Sequence, residues 1–158
     1  MDSKVEIYLR RARSEIDSAK VLFEISNKKG LLSLFELDEN SSFYSGVISH
    51  AYYTIFYCAK AMLLTKNTET KAPRIHQKTI NLFKEIFIDT EILDKKLLSI
   101  YEENIIRAEV LLEIFKDEKW KRGHFTYNTI PQANKHPAEE SLENARIFYK
   151  NCNAYLSS

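Results

Sequence analysis

Glycine and proline are scarce in this chain, with three of each in 158 residues. Both residues punctuate turns, so their rarity excludes a fold of many short strands and tight hairpins. The two cysteines, Cys58 and Cys152, form no CxxC pair and stand at no spacing to a histidine that suits zinc. That excludes a disulfide framework and a zinc ribbon, and both thiols fall on apolar helical positions where they read as buried and reduced. A formal charge of +1 gives no bulk attraction for nucleic acid or anionic lipid, so any such partner has to be held by a local patch. No uninterrupted apolar run approaches the roughly 20 residues needed to span a bilayer, and no secretory signal opens the chain. A cytoplasmic protein that does not enter membranes is the expectation. Glycine-rich phosphate loops, Walker patterns and HExxH are absent, so the sequence calls for no cofactor and no metal.

What is present is 44% hydrophobic and 28% charged residues, the balance of an ordinary globular chain. At 158 residues and 18.5 kDa it reads as one domain, residues 1–158. The apolar positions repeat at helical spacing. Ser3 and Glu6 have the spacing of a capping box, after which Val5, Leu9, Ala12, Ile16, Ala19 and Phe23 draw one stripe. The stretch "LLSLFELDENSS" reads as a connection whose leucines and Phe35 tuck against the bundle. From Tyr44 to Leu64 the apolar residues cover most of the circumference, the mark of a buried central helix. A third helix is expected from Ile75 to Phe87 after Pro73, a fourth from Leu97 to at least Phe115, and a fifth starting at Pro137. The reading is all-α, an up-and-down antiparallel bundle of about five helices.

The central stretch "SHAYYTIFYCAKAMLL", Ser49 to Leu64, resembles the central helix of the HEPN domain family, whose members carry a serine, an Ala-Tyr-Tyr, a spaced phenylalanine and an Ala-Lys-Ala-Leu-Leu ending. "RIHQKTINLF" from Arg74 resembles the stretch that follows in that family, and Arg122 with Tyr127 resembles an Arg-x4-Tyr pattern of its prokaryotic branch. The resemblance implies a helical bundle, a homodimer, and in active members a metal-independent endoribonuclease whose Arg-x4-6-His signature comes from both subunits. A small nucleotidyltransferase of the minimal type is the implied protein partner, in a toxin-antitoxin setting.

The chemistry of such cleavage needs a base for the ribose 2′-OH and a cation for charge gathering on the phosphate. Arginine suits the second role through its fixed fork of donors. Here Tyr127, Asn128 and Thr129 fill the three positions where the signature has histidine, and His124 stands only two residues past Arg122. A tyrosine at its ordinary pKa is ionised to roughly one part in a thousand at pH 7. Arg122, Tyr127 and His124 are therefore the catalytic candidates of a degenerate site. Lys119, Trp120, Lys121 and His136 are binding candidates, because cations interleaved with rings suit a strand of nucleotides. A solvated helix end pinned by Trp120 accounts for the same residues. His50 and His76 read as structural, and the pairs Glu102/Glu103 and Glu139/Glu140 as solvent-facing charges. The expected function is a HEPN-like module binding a nucleotidyltransferase-type partner, nucleotide or RNA, and the alternative is a metal-independent ribonuclease.

Overall fold

Asp2, one residue earlier than the expected serine, caps the first helix. In the computed structural model, which describes residues 2–112 and 134–158, its carboxylate accepts from the Lys4 backbone N–H at 2.9 Å. Helix α1 then runs Ser3–Asn27 and buries Val5, Ala12, Ile16 and Ala19. The connection that follows is not wholly irregular, since Lys29–Leu34 forms a short helix, α2, with Leu32 alone buried. Leu34 and Phe35, expected to tuck inward, are instead 72% and 58% exposed. The reason lies in how α2 stops: Glu36 turns left-handed at φ 56°, and Leu37 N–H reaches back to the Leu32 carbonyl at 2.9 Å. That closure satisfies the last carbonyls and turns the intervening side chains outward.

Central helix α3, Tyr44–Leu64, buries thirteen side chains, among them Tyr52, Ile55, Phe56 and Met62. It packs on α1 and on the later helices α5, Lys96–Leu112, and α6, Lys135–Leu156. Asn67 ends it in the left-handed conformation at φ 53°, with Thr68 N–H donating to the Leu63 carbonyl at 3.0 Å. None of the four left-handed residues among those described is a glycine, so turns are made here by Glu36, Asn67, Arg74 and Glu91. Gly46 serves close approach: a Cβ there would meet Leu22 Cδ1 at 2.8 Å, where α1 crosses α3.

After the cis Ala72–Pro73 bond, α4 spans Ile75–Phe83 and continues as a π-helical turn, Lys84–Ile88. The wider turn brings Phe87 into a ring cluster with Phe83, which in turn meets Phe148 at 5.3 Å between centroids. Tyr101 joins edge-on to Phe148 at 5.7 Å. Cys152 Sγ–H donates to the Cys58 carbonyl at 3.7 Å, burial pushes the Cys58 thiol well above its ordinary pKa, and both cysteines are buried and unbridged. The described residues thus form an all-α bundle of six helices, α2 being the one not expected. None of these helices is long and apolar enough to cross a membrane.

Candidate functional site

The segment holding Lys119, Trp120, Lys121, Arg122, His124 and Tyr127 lies outside the described residues, as does the expected reach of the fourth helix to Phe115. What the structure does describe is the frame on either side, where α5 ends at Leu112 and α6 begins at Lys135. These two helices are joined by a polar seam. Asn104 of α5 is fully buried; its Nδ2 donates to the Ser141 carbonyl at 3.1 Å and its Oδ1 accepts from Asn144 Nδ2 at 3.0 Å. Asn144 also donates to Glu103 at 3.0 Å. Arg107 pairs with Glu140 across the seam and lies 3.9 Å from Glu103 on its own helix. Glu103 and Glu140 are therefore clamps between helices rather than simple solvated charges.

His136 belongs to the first turn of α6, not to an irregular segment, because Pro137 sits inside that turn where its missing N–H costs nothing. Its side chain is 82% exposed and its Nε2 lies 3.0 Å from Glu140. Glu103, Arg107, Glu140, Glu143 and Asn144 surround a cleft of about 370 Å³. With three carboxylates against one guanidinium, this cleft repels phosphate. The seam is not itself an anion site.

A second cluster spans α1, α3 and α4. Tyr52 OH and His76 Nδ1 are 2.7 Å apart, and the imidazole lies 4.6 Å from the Phe56 ring, centroid to centroid. Burial first, and then the nearby Lys60 charge, lower the His76 pKa to about 4, so the ring is neutral at pH 7. Lys60, only 6% exposed, donates to the Thr70 carbonyl at 2.9 Å and sits 5.0 Å from the Tyr8 ring and 5.8 Å from that of Phe56. Thr70 and Thr79 share a 2.7 Å hydrogen bond that ties this loop to α4. His50 is held 2.5 Å from Glu15 of α1. The structural reading of both histidines is met, while Lys60, Tyr8 and Arg11 were not foreseen as members of any cluster. Their signal was faint: a lysine inside the apolar run of α3, and an arginine among three on α1. Among the described residues, no three histidine, cysteine, aspartate or glutamate side chains converge to hold a metal ion.

A tyrosine-rich central helix is thus packed by α1, α5 and α6, with His76 of α4 against it, and the all-α bundle that the sequence resemblance implies is what the described residues form. The family model described as "HEPN domain" matches residues 5–155. The chain belongs to the HEPN domain family. Two curated relatives, both from Methanocaldococcus jannaschii, align over nearly the whole length. "Putative toxin MJ0142" is 30% identical over 147 residues, covering 87% of this chain and 88% of the relative. "Putative toxin MJ0605" is 25% identical over 145 residues, covering 92% and 83%. No solved structure matches. In the sequence, the segment that holds Arg122 falls between α5 and α6.

Proposed function

We propose that this HEPN chain is a toxin-type module that binds RNA through the segment Lys119 to Tyr127 and cleaves it poorly or not at all. The reading is supported by the names of both curated relatives and carried by one observation: no histidine stands at residue 127, 128 or 129, the positions separated from Arg122 by four to six intervening residues. Arg122 supplies the cation for the phosphate, and His124 and Tyr127 are the groups left to take a proton. Among the described histidines, His50 and His136 each pair with a glutamate and His76 is bound to Tyr52. The module works as a homodimer in the cytoplasm, with a minimal nucleotidyltransferase as its protein partner.

The test is Tyr127→His, which restores the Arg-x4-His spacing. Wild-type protein is expected to be inert toward single-stranded RNA without metal, and Tyr127→His to gain cleavage by about 100-fold or more that Arg122→Ala abolishes. Efficient cleavage by wild type, lost in Arg122→Ala, would instead make this a ribonuclease with an unorthodox base. That second reading rests on the same toxin names.

A further inference from the structure

We infer that the face shared by α1 and α3 is a base-stacking platform for single-stranded nucleic acid, built from Tyr8, Tyr53 and Tyr57 and flanked by Arg11 and Lys60. It rests on the RNA-binding part of the function proposed above and names residues outside the arginine-bearing segment. Helix α3 is covered on most sides, but Ser49, His50, Tyr53 and Tyr57 follow one another at helical spacing as a stripe left half-buried. Tyr57 has its ring 6.1 Å from that of Tyr8 with planes 20° apart, and 6.0 Å from that of Tyr53 with planes 29° apart. Rings at that separation with nearly parallel planes lie offset, so they do not fully cover one another's faces.

The charges around the row point to an anion. Arg11 lies 5.5 Å from the Tyr57 ring and has no carboxylate partner among the described residues, although Arg10 and Arg13 on the same helix are each paired to an acid. Lys60 is a buried cation whose described partners are a carbonyl and two rings, again with no carboxylate. A buried charge without a counter-ion is costly, and an approaching phosphate lowers that cost. Glu15 is engaged by His50 at the far end of the row, and Glu69, next to Thr70, is engaged by Lys4. Rings that accept any base, beside cations that lack acids, are what a nucleotide strand recognises.

The experiment is fluorescence anisotropy of 5′-fluorescein-labelled octaadenylate with the full chain at low salt, with light scattering to follow mass. Tyr57→Ala and Tyr8→Ala are expected to weaken binding about 10-fold each, and Tyr57→Phe, which keeps the ring, to stay within about twofold. Arg11→Gln, at an exposed position, is expected to weaken binding and reduce the salt slope by about one. AMP that competes as well as the oligomer would support the stacking site and assign it to free nucleotide. If Tyr8→Ala and Arg11→Gln bind as wild type while Arg122→Ala does not, the platform is overturned and the proposed function stands. Wild type that binds no RNA overturns both. Tyr57→Ala that changes the mass of the particle without losing RNA would make the row a subunit seam and overturn the platform.

Discussion

At the α5–α6 seam Arg107 lies between Glu103 and Glu140, whereas on the α1–α3 face Lys60 and Arg11 meet rings and a carbonyl with no described carboxylate. Both regions hold a partly buried cation on a long helix, but they use it differently. In the seam nearly every polar group finds its partner on the neighbouring helix, and the acids outnumber the bases. The result is a join whose cation is committed to acids, with the buried Ser141 hydroxyl the seam group that has no partner among the described residues. On the α1–α3 face the charge is left uncompensated, and the rings supply area but no counter-ion. Satisfied polar networks hold a fold together, while cations kept without acids are poised toward something outside it.

The largest effect that separates the two regions is expected from a pair of substitutions. Asn104→Leu removes a fully buried amide that joins Ser141, Asn144 and Arg107, and takes one hydrogen bond from each, although Asn144 keeps Glu103 and Arg107 keeps Glu140. A loss of about 3 kcal/mol follows at about 1 kcal/mol per lost hydrogen bond, lowering the thermal midpoint by roughly 10 °C. Lys60→Met, by contrast, replaces an unpaired buried charge with an apolar side chain of similar length, and stability should change by less than about 1 kcal/mol. Thermal melts of the two variants check this. Should Lys60→Met prove the more damaging, the contrast drawn between seam and face is wrong.

Much of this contrast could be read from the sequence, and the remainder was hidden for identifiable reasons. The apolar circumference of α3 and the stripe of α1 follow from helical spacing, which is why the central helix and its neighbours were predictable. Helix α2 was missed because six residues carry too little periodicity, and its end is set by Glu36 in a conformation usually taken by glycine. Asp2 displaced the expected Ser3 cap because either side chain can reach a free N–H and only the backbone decides between them. Lys60 and Asn104 gave no warning of burial. Their partners Thr70, Ser141 and Asn144 lie 10, 37 and 40 residues away, and such pairings emerge only when the helices are assembled.

A smaller effect tests the ring cluster through pH. The folded-state pKa of His76 is depressed to about 4 from an ordinary 6.5, so in this window the unfolded chain binds a proton that the folded chain refuses. Stability from this residue is fully present above pH 6.5 and is lost progressively as pH falls toward 4. Since the imidazole is only partly buried, solvent screening reduces the size of the effect but not its sign. Thermal midpoints of wild type and His76→Gln, measured from pH 7.5 to 4, are expected to diverge, with wild type falling more steeply between 6.5 and 4. Parallel curves would mean that His76 titrates normally and that the Lys60 charge is not felt at the ring.

The smallest effect concerns how closely α1 lies against α3 at the His50 end of the open stripe. Gly46 is half-buried in the first turn of α3, where glycine costs at most the roughly 1 kcal/mol relative to alanine that it costs in a helix interior. Gly46→Ala recovers at most that amount but places a Cβ 2.8 Å from Leu22 Cδ1, which is too close to keep. The atom in the way is the end of a flexible side chain rather than backbone, so a rotamer change in Leu22 relieves the clash at a cost of about 0.5–1.5 kcal/mol. Gain and cost nearly cancel, and the thermal midpoint of Gly46→Ala is expected within about 3 °C of wild type. A fall of 10 °C or more would show that Leu22 cannot move. The spacing of α1 and α3, and with it the geometry of the tyrosine row, would then be set by that one glycine.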